Sequence, residues 1–262
     1  MNDEPLYLEI DGAVATLVLN RPDRRNALTQ AMWKSLPELL RRAENDPAVR
    51  VLIVRGTGGH FASGADITEF EAVYATRARA EAYSGAVARA LNSLADFPKP
   101  AFAQIDGSCI GAGCGIALAC DLRFAAAGAR FGVTPGKLGL AYPFNDIRRL
   151  VGAVGVAMAK DILFSARLLD ANEALACGLI DRLVAPEALA STVADYAALV
   201  MSRSGHSATV SKRMIALMQS GQAEETDETR ALFLDAFSGD DFGEGYQAFL
   251  DKRIPDFSRT RS

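Results

Sequence analysis

The sequence predicts an α/β core that is followed by an all-helical tail. Two observations support this prediction. Short apolar segments of strand type alternate with segments of helical periodicity as far as Val184. From Pro186 onward the pattern is helical, with breaks at Ser204-Gly205, Gly221 and Ser238-Gly239. Alternating strands and helices are typical of layered α/β folds, and a run of helices at one end is typical of an appended unit.

The first part of the chain predicts a hairpin and a helix. Leu6–Ile10 and Val14–Leu19 are predicted as strands joined at Asp11-Gly12, a pair that favours a tight turn. After a polar loop, Thr29 is a suitable N-cap for a helix. The apolar residues of that helix share one face: Met32, Leu36, Leu39, Leu40 and Ala43. Pro37 lies inside the helix and is expected to kink or break it.

The rest of the core predicts further strands and helices in alternation. Strands are expected at 51–54, 101–105, 122–126 and 180–184, and helices over the stretch that ends near Ala95, at 114–120 and from about Asp146. The prolines of the 97–100 segment mark a turn. Asp170 and Gly178 are residue types that begin and end a helix, as N-cap and C′ residue.

Composition and charge exclude several classes of function. The 262 residues are 50% hydrophobic and 23% charged, and 28 basic against 32 acidic residues give a net charge of -4. With no basic excess, we expect no nucleic-acid partner. The acidic start, Met1–Pro5, lacks the apolar core of a secretory signal, and the apolar stretch Cys109–Cys120 is too short to span a bilayer. We therefore expect a cytoplasmic protein with no membrane partner.

Cysteine and histidine usage predicts no metal site. The four cysteines form no C-x-x-C pair, and three of them lie in an Ala/Gly-rich apolar segment, as expected of small buried thiols that stay reduced. The chain has only two histidines, His60 and His206. A histidine-based metal site is therefore not expected.

Two Gly-rich segments give the strongest indication of function. Residues 58–67 follow the apolar run 51–54, and residues 106–115 follow 101–105. We expect each segment to leave a strand and enter a helix, which would aim backbone N–H groups at one point. Two N–H donors that converge on a carbonyl oxygen form an oxyanion hole. The alternative is that both segments are tight turns. The second does not match G-x-G-x-x-G, so no dinucleotide cofactor is expected.

With these segments, the chain resembles the enoyl-CoA hydratase/isomerase (crotonase) superfamily. The resemblance covers nearly the whole chain, through Leu19–Pro22, Arg25–Leu28, Ser63–Ile67, Gly111–Gly113, Phe164–Arg167, Ala174–Val184 and Ala248–Arg253. It implies a crotonase-like spiral of strand-strand-helix units with a C-terminal helical trimerisation region. It also implies an acyl-CoA-binding core over 1–200, a helical region over 201–262, and a homotrimer or hexamer.

The resemblance implies a substrate and the residues that hold it. The substrate would be an acyl-CoA thioester, with coenzyme A as part of the substrate and no separate cofactor. The N–H groups of Ala65 and Ala112 would form the oxyanion hole, and Lys252 would lie near the CoA phosphates or adenine. The other residues implied in substrate binding are Arg25, Ala27, Ser63, Gly64, Asp66, Ile67 and Thr134.

Two glutamates that act on water in hydratases of this superfamily have no counterpart in the sequence. The resemblance places Gly115 and Pro135 at those positions, and neither side chain ionises. An oxyanion hole without them suits a reaction with little proton transfer, because it stabilises an enolate however the enolate forms. Decarboxylation is such a reaction.

A segment around Tyr142 supports this interpretation. Thr134-Pro135, Leu138-Gly139 and Tyr142 resemble the T-P-x-x-L-G-x-x-Y segment of methylmalonyl-CoA decarboxylases, which have a histidine where this chain has Ala65. Tyr142 is then the expected catalytic residue, as a proton donor or by orienting a water, or else a packing residue. Asp146 is the nearest carboxylate, and it fits an isomerase or the start of a helix.

Other polar residues near these motifs also have structural interpretations. Asp66 with Glu69 predicts a capping box, and His60 is expected to be a surface loop residue. Ser63 is outside a G-x-S-x-G motif, so a serine triad is not expected. The pair Arg148-Arg149 fits a helix cap, a solvated helix face or a partner of an acyl-CoA phosphate.

Two classes of function remain open at this stage. One is an acyl-CoA enzyme of lyase, decarboxylase or isomerase type that works through the oxyanion hole. Its alternative within the superfamily is an enoyl-CoA hydratase with substitute acid/base residues. The other class is a non-catalytic acyl-CoA-binding protein. Turnover of a malonyl-type thioester distinguishes the two classes.

Overall fold

The computed structural model describes residues 3–257 and confirms the predicted α/β core. A first unit extends to Phe97 and continues over Ala101–Val193. A second unit comprises Pro98–Pro100 and the chain from Ala194 onward. Every strand of the described residues lies in the first unit, so the second unit is built from helices.

Nine strands form two sheets in the described part of the chain. They are β1 Leu6–Asp11, β2 Val14–Leu19, β3 Val51–Gly56, β4 Ala101–Ile105, β5 Ser108–Ile110, β6 Leu122–Ala126, β7 Arg130–Gly132, β8 Leu169–Asp170 and β9 Arg182–Val184. The larger sheet has the order β1-β2-β3-β4-β6-β9, and the smaller has the order β5-β7-β8. The pairs β1–β2 and β7–β8 are antiparallel, and all other pairs are parallel.

Ten α-helices lie between residues 3 and 257. They are α1 Gln30–Asn45, α2 Phe70–Val73, α3 Arg77–Ala95, α4 Ala112–Ala119, α5 Phe144–Ser165, α6 Ala171–Ala176, α7 Leu189–Met201, α8 Gly205–Gln219, α9 Asp227–Asp235 and α10 Asp240–Leu250. Within this range, no helix has both the length and the apolar character needed to cross a membrane.

The predicted helix caps are confirmed. The Thr29 hydroxyl accepts a hydrogen bond from the Met32 N–H at 3.3 Å and so begins α1. Asp170 forms a full capping box with Glu173 at the start of α6. Gly178 follows α6 with a φ of 81°, a left-handed conformation in which glycine has no Cβ penalty.

Of the two outcomes expected of Pro37, a kink or a break, the break does not occur. The helix runs without interruption from Gln30 to Asn45. A proline inside a helix costs about 3 kcal/mol, whereas one fully buried large apolar side chain contributes about 1.5–3 kcal/mol. This helix buries five side chains on one face: Met32, Trp33, Leu36, Leu40 and Ala43. Tertiary packing therefore outweighs the local preference of the proline.

Two neighbouring parallel strands bring the Gly-rich segments to one edge of the larger sheet. β3 pairs with β4, with Leu52 opposite Ala101 and Val54 opposite Ala103. Because both strands run in the same direction, the segments that follow their carboxyl ends leave the sheet at the same edge.

The two segments continue differently from the prediction. The first enters a 3-10 turn, Ile67–Glu69, and then the single-turn α2, rather than one continuous helix. The second contains the short strand β5, and α4 begins at Ala112 rather than at Cys114. A three-residue strand is too short to show periodicity, and β5 owes its existence to β7, about twenty residues further along the chain.

The second unit carries a row of exposed aromatic side chains. Phe233 and Phe237 lie edge to face with their ring centroids 5.3 Å apart, and Phe237 and Phe242 are 5.7 Å apart. Phe242 stacks on Tyr246 at 6.0 Å. About half of each of these four residues is exposed. We call these four residues the aromatic row.

Candidate active site

A backbone pairing aligns the two Gly-rich segments. The Ala62 N–H donates to the Ser108 carbonyl at 2.8 Å, and the Ile110 N–H donates to the Ala62 carbonyl at 2.9 Å. These bonds place Ala62 opposite Cys109 in a parallel bridge. Counting forward by three residues from each member of this pair leads to Ala65 and to Ala112, the two predicted N–H donors.

Glycines allow the two segments to approach each other. Gly64 and Gly111 have φ values of 122° and 54°, a region that side-chain-bearing residues rarely adopt. A Cβ built on Gly111 would lie 3.8 Å from the Gly64 Cα. A Cβ on Gly113 would lie 2.4 Å from the Ala62 carbonyl oxygen, so only glycine permits α4 to pack this closely on the first segment.

The N–H groups of Ala65 and Ala112 are available to a ligand. The Gly64 carbonyl accepts from the Leu28 N–H at 2.9 Å, and the Gly111 carbonyl accepts from the Gly115 N–H at 3.1 Å. In a trans peptide the N–H points opposite to the C=O, so the N–H groups that follow these carbonyls point away from those partners. Among residues 3–257 neither N–H has a protein acceptor, and both alanines are only partly buried.

The loop before α1 is tied to the first Gly-rich segment through a buried asparagine. Asn26 is fully buried, and its Nδ2 donates to the carbonyls of Thr57 and His60 at 2.9 and 2.7 Å. Its Oδ1 accepts from the Arg21 N–H at 2.8 Å. The carbonyl of Arg25 accepts from the N–H of a second predicted site residue, Ser63, at 2.9 Å. This bond brings Arg25 and Ser63 together, and Ala27 lies in the same loop as Arg25; their role in substrate binding stays a prediction.

Asp66 holds the end of the first segment in place. Its carboxylate lies 2.8 Å from the Arg21 guanidinium and accepts from the Thr68 hydroxyl at 2.6 Å and the Thr68 N–H at 3.1 Å. The Thr68 hydrogen bond, with the Arg21 guanidinium, lowers the pKa of the Asp66 carboxyl below its ordinary value. Asp66 is thus an anion with a structural role. The next residue, Ile67, is mostly exposed.

The predicted capping box of Asp66 with Glu69 is wrong in its second half. Asp66 caps the 3-10 turn, but the Glu69 carboxylate accepts instead from the Gln30 N–H, at 2.7 Å. The Asp66 N–H already donates to the Leu28 carbonyl at 2.8 Å, so Glu69 is left to cap α1.

Tyr142 reaches the first turn of α4. Its hydroxyl lies 3.4 Å from the Gly111 carbonyl oxygen, and 3.3 Å from the place that a Cβ on Gly115 would occupy. The Leu91 Cδ1 lies at the same 3.3 Å from that place. Burial of the hydroxyl, with a smaller effect of Cys114, raises the pKa of Tyr142 well above its ordinary value. The phenol is therefore a neutral donor that borders the space beside Gly115.

A buried polar bridge lies behind Tyr142. The Arg149 guanidinium donates to the Asp146 carboxylate at 2.8 Å and to the Asn92 Oδ1 at 2.6 Å. The side chains of Arg149 and Asp146 are only 11% and 6% exposed. Burial raises the pKa of Asp146, against the opposing effect of Arg149. The expectation of a solvated or capping Arg149 is therefore wrong.

His60 and two cysteines stabilise the segments from within. The His60 Nδ1 accepts from the Ser108 N–H at 3.2 Å, so this half-buried side chain joins the two segments. The Cys114 thiol donates to the Cys109 carbonyl at 2.9 Å. Burial raises the pKa of the Cys109 thiol, which keeps it protonated.

The last two predicted site residues are Thr134 and Lys252. Thr134 follows β7, whose Gly132 carbonyl accepts from the Gly111 N–H at 2.7 Å, and it is partly buried. Lys252 belongs to the second unit, where it is exposed with a φ of 53° just after α10. Its role toward CoA stays a prediction.

Sequence reasoning missed Asn26, Leu91 and the partners of Arg149. A signal existed for two of these features. Asparagine tolerates left-handed backbone, and Asn26 has a φ of 57°. Asp146 and Arg149 have the i, i+3 spacing of an ion pair on a helix. No sequence signal places Leu91 beside Gly115, because that contact joins α3 to α4.

Comparisons with known proteins agree with this fold and site. The model of the enoyl-CoA hydratase/isomerase family matches residues 9–260. A crotonyl-CoA hydratase from Syntrophomonas wolfei is 34% identical over 262 residues, which cover 97% of this chain and 98% of that protein. The structure of an enoyl-CoA hydratase/isomerase family protein from Hyphomonas neptunium is 46% identical with a TM-score of 0.96, and the match covers 99% of this chain and 98% of that one.

A more distant structure shares the same fold. The enoyl-CoA hydratase of Mycobacterium smegmatis is 27% identical with a TM-score of 0.88, over 97% of this chain and 99% of that one. The α/β fold is that of a crotonase-type protein. The chain belongs to the enoyl-CoA hydratase/isomerase family.

Proposed function

We propose that this protein binds an acyl-CoA thioester and stabilises its enolate between the N–H groups of Ala65 and Ala112. The observation that carries this proposal is the pair of unoccupied, partly accessible N–H groups at equivalent positions of two aligned segments. A donor of an oxyanion hole contributes about 3–4 kcal/mol to lowering a barrier. Arg25 is the proposed cationic contact of the first unit to the CoA moiety, and the role of Lys252 toward CoA remains what the resemblance implies.

We propose further that the reaction is of lyase type, with decarboxylation favoured, or of isomerase type. At Gly115 and Pro135, the positions assigned to the two hydratase glutamates, there is no group to activate water. At Gly115 the space for a side chain is also limited, because the Tyr142 hydroxyl and Leu91 both lie 3.3 Å from the Cβ position. A polar hydroxyl thus replaces a carboxylate in this part of the site.

The decarboxylation would proceed through the enolate. The bond between the α-carbon and the carboxylate of a malonyl-type thioester breaks, carbon dioxide leaves, and the electron pair forms the enolate whose oxygen accepts from both N–H groups. The Tyr142 hydroxyl then delivers its proton to the α-carbon, and the phenolate recovers a proton from water. The bond from Tyr142 to the Gly111 carbonyl is long, at 3.4 Å, so redirecting the hydroxyl toward substrate costs little.

A second candidate is an enoyl-CoA hydratase with substitute acid/base residues. The relative from Syntrophomonas wolfei bears the name of a crotonyl-CoA hydratase, and Asp146 is a buried carboxyl with a raised pKa four residues after Tyr142. Its pairing with Arg149 argues against this role, because that ion pair would have to open. The third candidate, a non-catalytic acyl-CoA-binding protein, requires binding without turnover.

A direct assay distinguishes these candidates. We expect turnover of a malonyl-type or methylmalonyl-type CoA thioester, measured as the release of carbon dioxide. Hydration of crotonyl-CoA should be slower than in an ordinary hydratase by about 10²-fold or more, because each proton-transfer group is worth about that factor. Rapid crotonyl-CoA hydration would favour the second candidate. Calorimetric binding of acyl-CoA with no turnover of any thioester would favour the third.

Replacing the tyrosine tests its role as proton donor. Tyr142→Phe should lower kcat about 10²-fold and leave thioester binding nearly unchanged, because the ring is kept and only the hydroxyl is lost. Tyr7→Phe, in β1, is the matched control and should retain full activity. Unchanged turnover in Tyr142→Phe would assign Tyr142 to packing and leave Asp146 or solvent as the proton source.

We also propose that the protein assembles as a homotrimer or as a hexamer through its helical second unit. The aromatic row supports this, because so large an exposed apolar patch is typical of an interface. Phe249 and Ile254 of the same unit are more than 80% exposed. Light scattering at micromolar concentration should give three or six times the mass of one chain, and a monomer would contradict the proposal.

A further inference from the structure

The backbone segment that carries Tyr142 has little contact with the core. From Gly136 to Phe144 every residue except Tyr142 is exposed. Phe144 itself is 80% exposed at the start of α5. A segment with so few buried side chains does not fix the position of a hydroxyl by its own packing. Tyr142 itself packs against the hydrophobic core, whereas the exposed backbone on either side of it needs a separate anchor.

The buried bridge of Arg149 supplies such an anchor. Asp146 lies in the first turn of α5, four residues after Tyr142, and Asn92 lies on α3. The Arg149 guanidinium holds both, with N–O distances of 2.8 and 2.6 Å. Its planar fork fixes two acceptors in direction as well as distance, which a single hydrogen bond does not.

The two ends of the bridge adjoin the two walls of the space beside Gly115. Asn92 follows Leu91, and Asp146 follows Tyr142 by four residues. Leu91 and the Tyr142 hydroxyl each lie 3.3 Å from the Cβ position of Gly115. The bridge thus joins the helix that follows Tyr142 to the helix that carries Leu91.

We propose that the Asn92–Arg149–Asp146 bridge is a positioning device that holds the Tyr142 hydroxyl beside Gly115 for proton transfer. The bridge does not touch the reacting atoms, and it acts only through Tyr142. This proposal rests on the proposed function of Tyr142 and adds three residues to the site. It predicts that loss of the bridge changes kcat rather than thioester binding.

The first test cuts the bridge at α3. Asn92→Ala keeps the ion pair of Arg149 with Asp146 and removes only the third partner. We expect kcat on the malonyl-type thioester to fall about 10- to 100-fold, the effect of a displacement of about 1 Å, with KM nearly unchanged. Asn92→Asp keeps an acceptor for the guanidinium and should recover most of the activity. Lys160→Gln, an exposed position in the part of α5 beyond the kink at Gly155, is the control and should have no effect.

A double-mutant cycle separates positioning from a general structural role. In a Tyr142→Phe background, Asn92→Ala should cause no further loss of kcat, because the hydroxyl on which the bridge acts is already absent. The same fold-loss in both backgrounds would overturn the proposal.

A readout without turnover distinguishes failure of this proposal from failure of the proposed function. In protein labelled with 3-fluorotyrosine, the resonance that disappears in Tyr142→Phe reports the position of Tyr142. It should shift or broaden in Asn92→Ala and stay unchanged in Lys160→Gln. If it moves while Tyr142→Phe retains full activity, the positioning stands and the catalytic role of Tyr142 is wrong. If it does not move in Asn92→Ala, the positioning proposal is overturned.

Discussion

The backbone pairing of Ala62 with Cys109 is the constraint on which the rest of the site depends. Two hydrogen bonds, of 2.8 and 2.9 Å, hold the first Gly-rich segment in register with β5. If the first segment shifted by one residue against β5, the N–H groups that follow would point in the opposite direction, and Ala65 would no longer lie opposite Ala112. The parallel pairing of β3 with β4 brings the segments to one edge of the sheet, and this bridge then sets their register.

Three glycines near this pairing leave little room for a side chain. Gly64 and Gly111 have positive φ values, and a Cβ on Gly113 would lie 2.4 Å from a carbonyl oxygen. These glycines flank the residues whose N–H groups we propose as donors. Beside Gly115, the Tyr142 hydroxyl and Leu91 each lie 3.3 Å from the position that a Cβ would occupy. The function that we propose combines the paired N–H groups with proton transfer by Tyr142.

The sequence predicts those parts of the structure that depend on local signals. Residue types and spacing predict the hairpin at Asp11-Gly12, the caps at Thr29 and Asp170, and the two Gly-rich segments. The sequence does not predict features that depend on contacts between residues distant in the chain. The strand β5 exists through β7, the Glu69 carboxylate caps a helix that begins 39 residues earlier, and Arg149 is buried by Asn92 on another helix. Pro37 does not break α1, because the free energy gained by burying one face of the helix outweighs the cost of the proline.

We propose that the N–H groups of Ala65 and Ala112 jointly polarise a thioester carbonyl. Isotope-edited infrared spectroscopy of a bound CoA thioester, labelled with ¹³C at the carbonyl, measures this polarisation. We expect a stretching frequency below the value in water. We also expect Ala112→Pro to reverse part of the shift, because proline removes this N–H at the first position of α4, where a helix tolerates it. A carbonyl frequency equal to the value in water, with the thioester bound, would show that the two N–H groups do not polarise the carbonyl.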